Sequence, residues 1–229
     1  HRGGGRASAR ETAVRVAGGA FAQLLLNEFK IEVLSGVLGI GKAISDKVDF
    51  DFAKNSQIYA LGNEEAMKEA VNKARSEHDS VGAVVLSMAR GVPAGLGEPL
   101  YDRLDSALAA ALMGINGVKA VEIGAGVNVS SMLGSANNDE MDELGFLSNN
   151  AGGILGGISS GAEIVLKSHF KPTPSIFKEQ KTLNLAGEAV DFELRGRHDP
   201  CIGIRGSVVA TAMIRLVLAD MLLLNASTK

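Results

Sequence analysis

The stretch RGGGRASARETAVRVAGGAFAQLLL, residues 2–26, decides how the rest of the chain is read. Gly3, Gly4 and Gly5 sit between Arg2 and Arg6. Ser8-Ala9-Arg10-Glu11 then has the S-x-x-E form of a helix start, in which the Ser8 hydroxyl accepts from the Glu11 amide and the Glu11 carboxylate from the Ser8 amide. An almost unbroken apolar helix is expected to about Leu26. Val14, Ala17, Phe21 and Leu25 form one stripe; Ala13, Val16, Ala20 and Leu24 form the next. A helix apolar on most of its circumference is expected to be covered on most of it. A glycine loop flanked by arginines thus feeds the tip of a buried helix. Its free amides and the positive end of its dipole suit an anion.

Composition narrows the classes. With 46% hydrophobic and 21% charged residues among 229, the chain reads as a globular protein able to bury a sizeable core, taken here as a single domain over 1–229. A formal net charge of -3 argues against a general nucleic-acid binder, so an anion site has to be built locally from a few arginines. Aromatics at 4% do not furnish a stacking surface for single strands. The single cysteine, Cys201, excludes an intrachain disulfide and a zinc cluster, and points to a reducing, cytoplasmic compartment without a structural metal. No secretion leader is visible. The apolar run Val208 to Leu224 contains Arg215 and Asp220, which makes it a buried helix and not a membrane span.

Along the chain, Ile31–Leu34 reads as a short strand. GVLGIGKA, residues 36–43, comes within one residue of a phosphate-binding loop, but Ala43 lacks the hydroxyl that would reach magnesium, and a glycine turn is expected instead. Residues 46–52 read as charged and irregular. Residues 64–77 form an amphipathic surface helix in which Glu65 and Glu69 precede Lys68 and Lys73 at helical spacing, the pattern of a solvated face. Strands are expected over 80–88 and 118–123, and a second strongly apolar helix over 102–115. Gly124-Ala125-Gly126 lacks the third glycine of a dinucleotide fingerprint. Residues 128–150 are loop-like. The glycines at 152, 153, 156, 157 and 161 forbid a stable helix and suit a backbone passing close to something bulky, either a crowded strand bend or a bound ring. A strand over 162–170, a stiff KPTPSI turn over 171–176, a hairpin about Ala186-Gly187 and a helix from about Ser207 to Asn225 complete the pass. First and last units share a plan: Gly-Arg, a polar loop, another arginine, then a long apolar helix. Gly5-Arg6 with Arg10 thus echoes Gly196-Arg197 with Arg205.

GRASARETAVRVAGGA (5–20) resembles the GRSSARETAxRVAAGA signature of the chorismate synthase family. The likeness continues through GVPAGLGEPLYDRLD (91–105), ALMGINGVKAVEIG (111–124), SNNAGGILGGISSG (148–161), KPTPSI (171–176) and GRHDPC (196–201), in the family's order. The resemblance implies an α+β fold, a β-α-β sandwich with central apolar helices between antiparallel sheets. Helices this apolar call independently for cover on both sides. It also implies a cytoplasmic homotetramer of the shikimate pathway that needs reduced FMN, with NADPH as a candidate reductant. The reaction is a 1,4-elimination of phosphate from 5-enolpyruvylshikimate 3-phosphate, a small polyanion. The family further has an N-terminal part with a GESHG-like and an RPGHAD-like segment that carry its two catalytic histidines. This sequence does not contain them, so the chain is expected to be N-terminally incomplete, and an inert oligomerising scaffold is the competing reading.

Carried over position by position, the family's flavin contacts fall on Arg6, Ala7, Ser8, Asn116, Gly117, Gly156, Lys171, Pro172, Thr173, Pro174, Ser175 and Arg197. Ala7 departs from the commoner serine. Arg10 and Arg205 are the candidates for gripping substrate, since planar guanidinium groups hold carboxylates and phosphates bidentately. Asp199, in GRHDPC, is the implied acid–base group beside the flavin; a turn-capping Asp before Pro200 is its structural alternative. Ser8 joins it as a catalytic candidate, being both helix cap and flavin contact. Arg75 serves as the contrast: replacing Arg197 is expected to weaken FMN far more than replacing Arg75. After Arg205 the chain reads GSVVATAM where the family commonly reads AVPIAEAM, a departure at the helix start.

Overall fold

The computed structural model describes residues 8–194, 196 and 198–228. A 3-10 turn over Ala9–Glu11 leads into α1, Thr12–Glu28. The expected capping box is only half made. Ser8 Oγ accepts from the Arg10 amide at 3.4 Å, while the Glu11 carboxylate turns forward to Arg15 at 2.9 Å. An i,i+4 arginine outcompetes the Ser8 amide because it brings full charge to the pair.

Strand β1 spans Glu32–Ile40, followed by β2, Ala43–Ile44. The stretch compared with a phosphate loop is therefore mostly strand, and only Gly41-Lys42 turns. Its glycines serve close approach: a Cβ on Gly36 would stand 2.6 Å from the Leu61 side chain, beside Val37, which donates to the Tyr59 carbonyl and accepts from the Leu61 amide. Helix α2, Phe50–Asn55, is capped by Asp49, whose carboxylate accepts from the Phe52 amide at 2.9 Å; the segment expected to be irregular ends in this helix. Helix α3 is Glu64–Ser76, β3 Ala83–Arg90, α4 Leu104–Met113 and β4 Val118–Ile123. The loop-like region holds a short helix α5, Gly134–Asn137, and the two-residue strands β5, Met141–Asp142, and β6, Gly145–Phe146. The glycine-rich run folds as a tight hairpin of β7, Ile154–Leu155, and β8, Ile158–Ser159. Then come β9, Ile164–Phe170, the hairpin of β10, Gln180–Leu183, and β11, Ala189–Phe192, and the long α6, Gly203–Ser227.

One antiparallel sheet, ordered β2-β1-β3-β9-β4, organises the chain. Strand β9 is buried at alternate residues, Ile164, Leu166, Ser168 and Phe170, and that face meets α6. Small residues let α6 lie close. A Cβ on Gly203 would fall 2.4 Å from Ala83 Cβ, and one on Gly206 would enter the Phe170 ring. By length and composition α6 could cross a membrane, but half of its apolar window is buried against the sheet and its neighbouring helices, the position of a core helix. Arg215 bends back to donate to the Val33 carbonyl at 3.4 Å. On the opposite face, Phe50 and Ala53 of α2 cover Leu34, Leu86 and Met88.

Against expectation, α1 is not covered on most of its circumference. Gly19 and Leu26 are its buried residues, while Val14, Phe21 and Leu24 are 77%, 75% and 64% exposed. It lies on α6 along one side only. Among the described residues there is one large sheet with helices against it, and the other sheets are two-stranded hairpins.

Asp139 holds the 139–151 loop together. Its carboxylate accepts from Ser148 Oγ at 2.6 Å and from the amides of Asn150 and Ala151 at 2.7 and 2.8 Å. Burial works against its ionisation, but these bonds together hold the carboxyl below its ordinary range. Asp139→Ala is expected to cost about 1–3 kcal/mol, since two amides lose their acceptor. A lowered carboxyl stabilises above its unfolded value and stops doing so as pH falls through the folded one. Amide exchange should therefore show this loop loosening below about pH 4 in the wild type, and no such acid step in the variant.

Candidate active site

The two helix starts meet. A cavity of about 480 Å³ is lined by Ser8, Arg10, Ala13 and Val16 from the start of α1 and by Asp199, Ile202, Arg205 and Val209 around the start of α6. Asn116, Ile115, Phe170 and Tyr59 complete much of the wall. Helix α6 begins at Gly203, earlier than the sequence pattern predicts, so Arg205 lies in its first turn and not in a preceding loop. With no Pro in the departing GSVVATAM stretch, each backbone amide there can join the helical ladder and the helix runs on from Gly203.

Asp199 is held at both oxygens. Oδ1 accepts from the Cys201 amide at 3.2 Å, the turn arrangement expected before a helix, and Oδ2 pairs with Arg205 Nη2 at 3.0 Å. The turn-capping and acid–base readings are thus compatible, because the cap uses one oxygen only. Cys201 is a buried filler; burial pushes its thiol up to about 11, which leaves it unreactive.

A second cavity of about 550 Å³ shares Asp199 and Arg205 with the first. Its other walls are Ser175, Ile176 and Phe177 after the KPTP turn, Gly196, His198 and Pro200, and Arg75, His78 and Asp79 from the end of α3. The Asp199–Arg205 pair therefore stands at the boundary of the two spaces.

The remaining candidates distribute unevenly. Gly117, with φ +90, sits beneath Ile202, where a Cβ would come within 2.4 Å of Cδ1. Its carbonyl accepts from the Lys171 amide at 2.9 Å, tying the KPTPS turn to the Asn116-Gly117 turn. The Thr173 carbonyl accepts from Ser80 Oγ at 2.6 Å. Lys171, Pro172, Thr173 and Pro174 line neither cavity; of the flavin contacts carried over to that turn, Ser175 does. Gly156 lies in the β7–β8 turn, outside both, with open space where a side chain would start. Its neighbours Gly153 and Gly157 are crowded by this chain's own carbonyls of Glu163 and Glu98, so the crowded-bend reading accounts for them. Arg6, Ala7 and Arg197 lie outside the described residues. Tyr59, Arg75, His78 and Phe177 line the cavities without having been singled out as ligands. Arg75 is exposed, as expected for a surface helix, and it also borders the second cavity because the end of α3 lies beside the 175–178 turn.

The family model for chorismate synthase matches residues 1–223. The chain belongs to the chorismate synthase family. The chorismate synthase of Campylobacter concisus (strain 13826) is 97% identical over 229 residues, which are the whole of this chain and 64% of that protein. That of Campylobacter curvus (strain 525.92) is 73% identical over 225 residues, 98% of this chain and 64% of that protein. A solved structure described as the crystal structure of chorismate synthase superimposes with a TM-score of 0.79 at 32% identity, covering 96% of this chain and 65% of that one. The chain spans about 64% of the length of these curated members of the chorismate synthase family. Its α+β architecture, with antiparallel strands and long helices packed on them, is thus that of a chorismate synthase chain in part.

Proposed function

We propose that this chain, within the full-length protein of its family, takes part in converting 5-enolpyruvylshikimate 3-phosphate to chorismate with loss of phosphate. The observation that supports this most is the meeting of the ARET and GRHDPC motifs, remote in sequence, at one cavity. The reading covers a cytoplasmic homotetramer, a single domain completed by chain outside residues 1–229, and a β-α-β sandwich whose second sheet lies over Val14, Phe21 and Leu24 of α1.

The residues present fit FMN. The first cavity offers apolar walls for a flat ring, from Ala13, Val16, Ile115 and Val209, with Arg10 and Arg205 for anions. In the second, His198 Nε2 is buried without a hydrogen-bond partner among the described residues. What bound reduced FMN supplies is a transient source of electrons for an elimination that is redox-neutral overall. The chain's own residues do the rest. Arg10, with Arg6 and Arg197 assigned from the motifs, grips the carboxylates and phosphates. The apolar wall keeps water from competing for these contacts, which strengthens them. Arg205 leaves Asp199 for the arriving anion, and the freed Oδ2 is then available to take or give a proton.

The test is an anaerobic assay of the full-length protein with reduced FMN. Chorismate and inorganic phosphate are expected in equal amounts; phosphate release without chorismate, or no turnover, overturns the proposal. Residues 1–229 alone are expected to be inactive, and chorismate formed by them would overturn the assignment of essential groups to the rest of the protein.

A further inference from the structure

We propose that Arg75 and His78, with His198, hold the dianionic phosphate of a phosphate monoester in the second cavity. This rests on the function proposed above and extends it to residues outside the family motifs. The charge inventory of the cavity carries it. Both of its carboxylates are already neutralised. Asp79 takes Lys178 Nζ at 2.6 Å and the Ser80 amide at 2.8 Å, and Lys178 holds its carboxyl below the ordinary range. Asp199 takes Arg205 and the Cys201 amide. Arg75, His78 and His198 are left without an anionic partner among the described residues, around one space of about 550 Å³. His198 Nε2 is buried and makes no hydrogen bond among the described residues.

Ring contacts orient the two imidazoles, while Arg75 and His78 stay exposed to solvent. The Phe177 ring stands between the two imidazoles, with centroids 6.3 Å from His78 and 5.6 Å from His198. His78 adopts φ +57, the left-handed turn that ends α3, and its carbonyl accepts from the Phe177 amide at 3.1 Å. The residue three before it, Arg75, falls on the same side of the helix end. A helix C-terminus is the wrong pole for an anion. Here, however, the last carbonyls are occupied: Lys73, Ala74 and Arg75 accept from the amides of Glu77, Asp79 and His78. A guanidinium, two imidazoles and a serine are contributed to the cavity wall by three separate segments, the end of α3, the 175–177 turn and the 196–200 loop. That suits a tetrahedral anion with several acceptor oxygens better than a planar carboxylate.

The phosphate has two possible sources, the substrate ester and FMN, and one experiment separates them. In the full-length protein, Arg75→Gln, His78→Asn and the double variant are titrated with FMN and with riboflavin, and their substrate KM is measured. If the cavity takes the flavin phosphate, FMN affinity falls about tenfold in the double variant while riboflavin binding is unchanged. If it takes the substrate phosphate, FMN binding is unchanged, KM rises about tenfold, and competition by inorganic phosphate weakens in parallel. Arg75→Lys should restore part of either loss, and unchanged melting confirms that the fold is intact. FMN affinity and KM both within twofold of wild type would overturn the proposal. A wild-type protein that neither binds FMN nor turns over would instead bring down the function on which it rests.

Discussion

Asp199→Asn in the full-length protein is expected to leave FMN binding within about twofold and to remove most turnover, on the order of a hundredfold or more. The asparagine side chain keeps Oδ1, so the bond from the Cys201 amide at 3.2 Å survives and the start of α6 stays in place. What is lost is the second oxygen as a charged, protonatable group, together with its pairing to Arg205 at 3.0 Å. That pair is solvent-facing on the Arg205 side, so its loss barely touches stability. Turnover should therefore fall with no matching fall in melting temperature. Anaerobic single-turnover measurements with reduced FMN decide the matter. Wild-type rates in the variant would remove Asp199 from the chemistry and leave it a turn cap.

The second large effect concerns the fold. Gly18 and Gly19 are neighbours in α1, and opposite outcomes are expected from the same substitution. At Gly18 an added Cβ would meet Leu216 at 3.6 Å, an ordinary contact. Gly18→Ala should stabilise by up to about 1 kcal/mol through helix propensity. At Gly19 the same atom would stand 2.5 Å from Ala212 Cα and 2.9 Å from its carbonyl oxygen. Backbone cannot rotate away as a side-chain tip can, so α1 has to lift off α6. Gly19→Ala is expected to cost about 1–3 kcal/mol or more, and because Ser8, Arg10 and Val16 move with α1, to weaken ligand binding as well. Chemical denaturation of the two variants side by side provides the check. Equal stabilities would mean that the α1–α6 crossing is not as close as described.

These two cases show where sequence reading stops. Strand β4 was legible to the residue, because Val118–Ile123 is a short run rich in β-branched residues bounded by Gly117 and Gly124. Helix α3 was legible because its apolar positions and its oppositely charged pairs repeat at helical spacing; the left-handed end at His78 was not. The GVLGIGKA stretch misled as a turn: glycine there answers to Leu61, which sits far along the chain. The cover expected around α1 failed for the same kind of reason. Periodicity reports that a surface is apolar, not that this chain supplies what lies against it. Of the site, Ser8, Arg10, Asn116, Asp199 and Arg205 were nameable from motifs and do share one cavity. Arg75 and His78 were not, because a charge at a helix end looks the same whether it faces water or a ligand.

By itself the sequence determined the family and the apolar helices and named Asp199 and the arginines as candidates, since these reside in local patterns and residue chemistry. Only the tertiary structure decided that Asp199 and Arg205 stand between two cavities and that the end of α3 borders the second. Such neighbours are set by how α6 seats on the sheet through Gly203 and Gly206, a close approach that leaves no periodic trace in the chain.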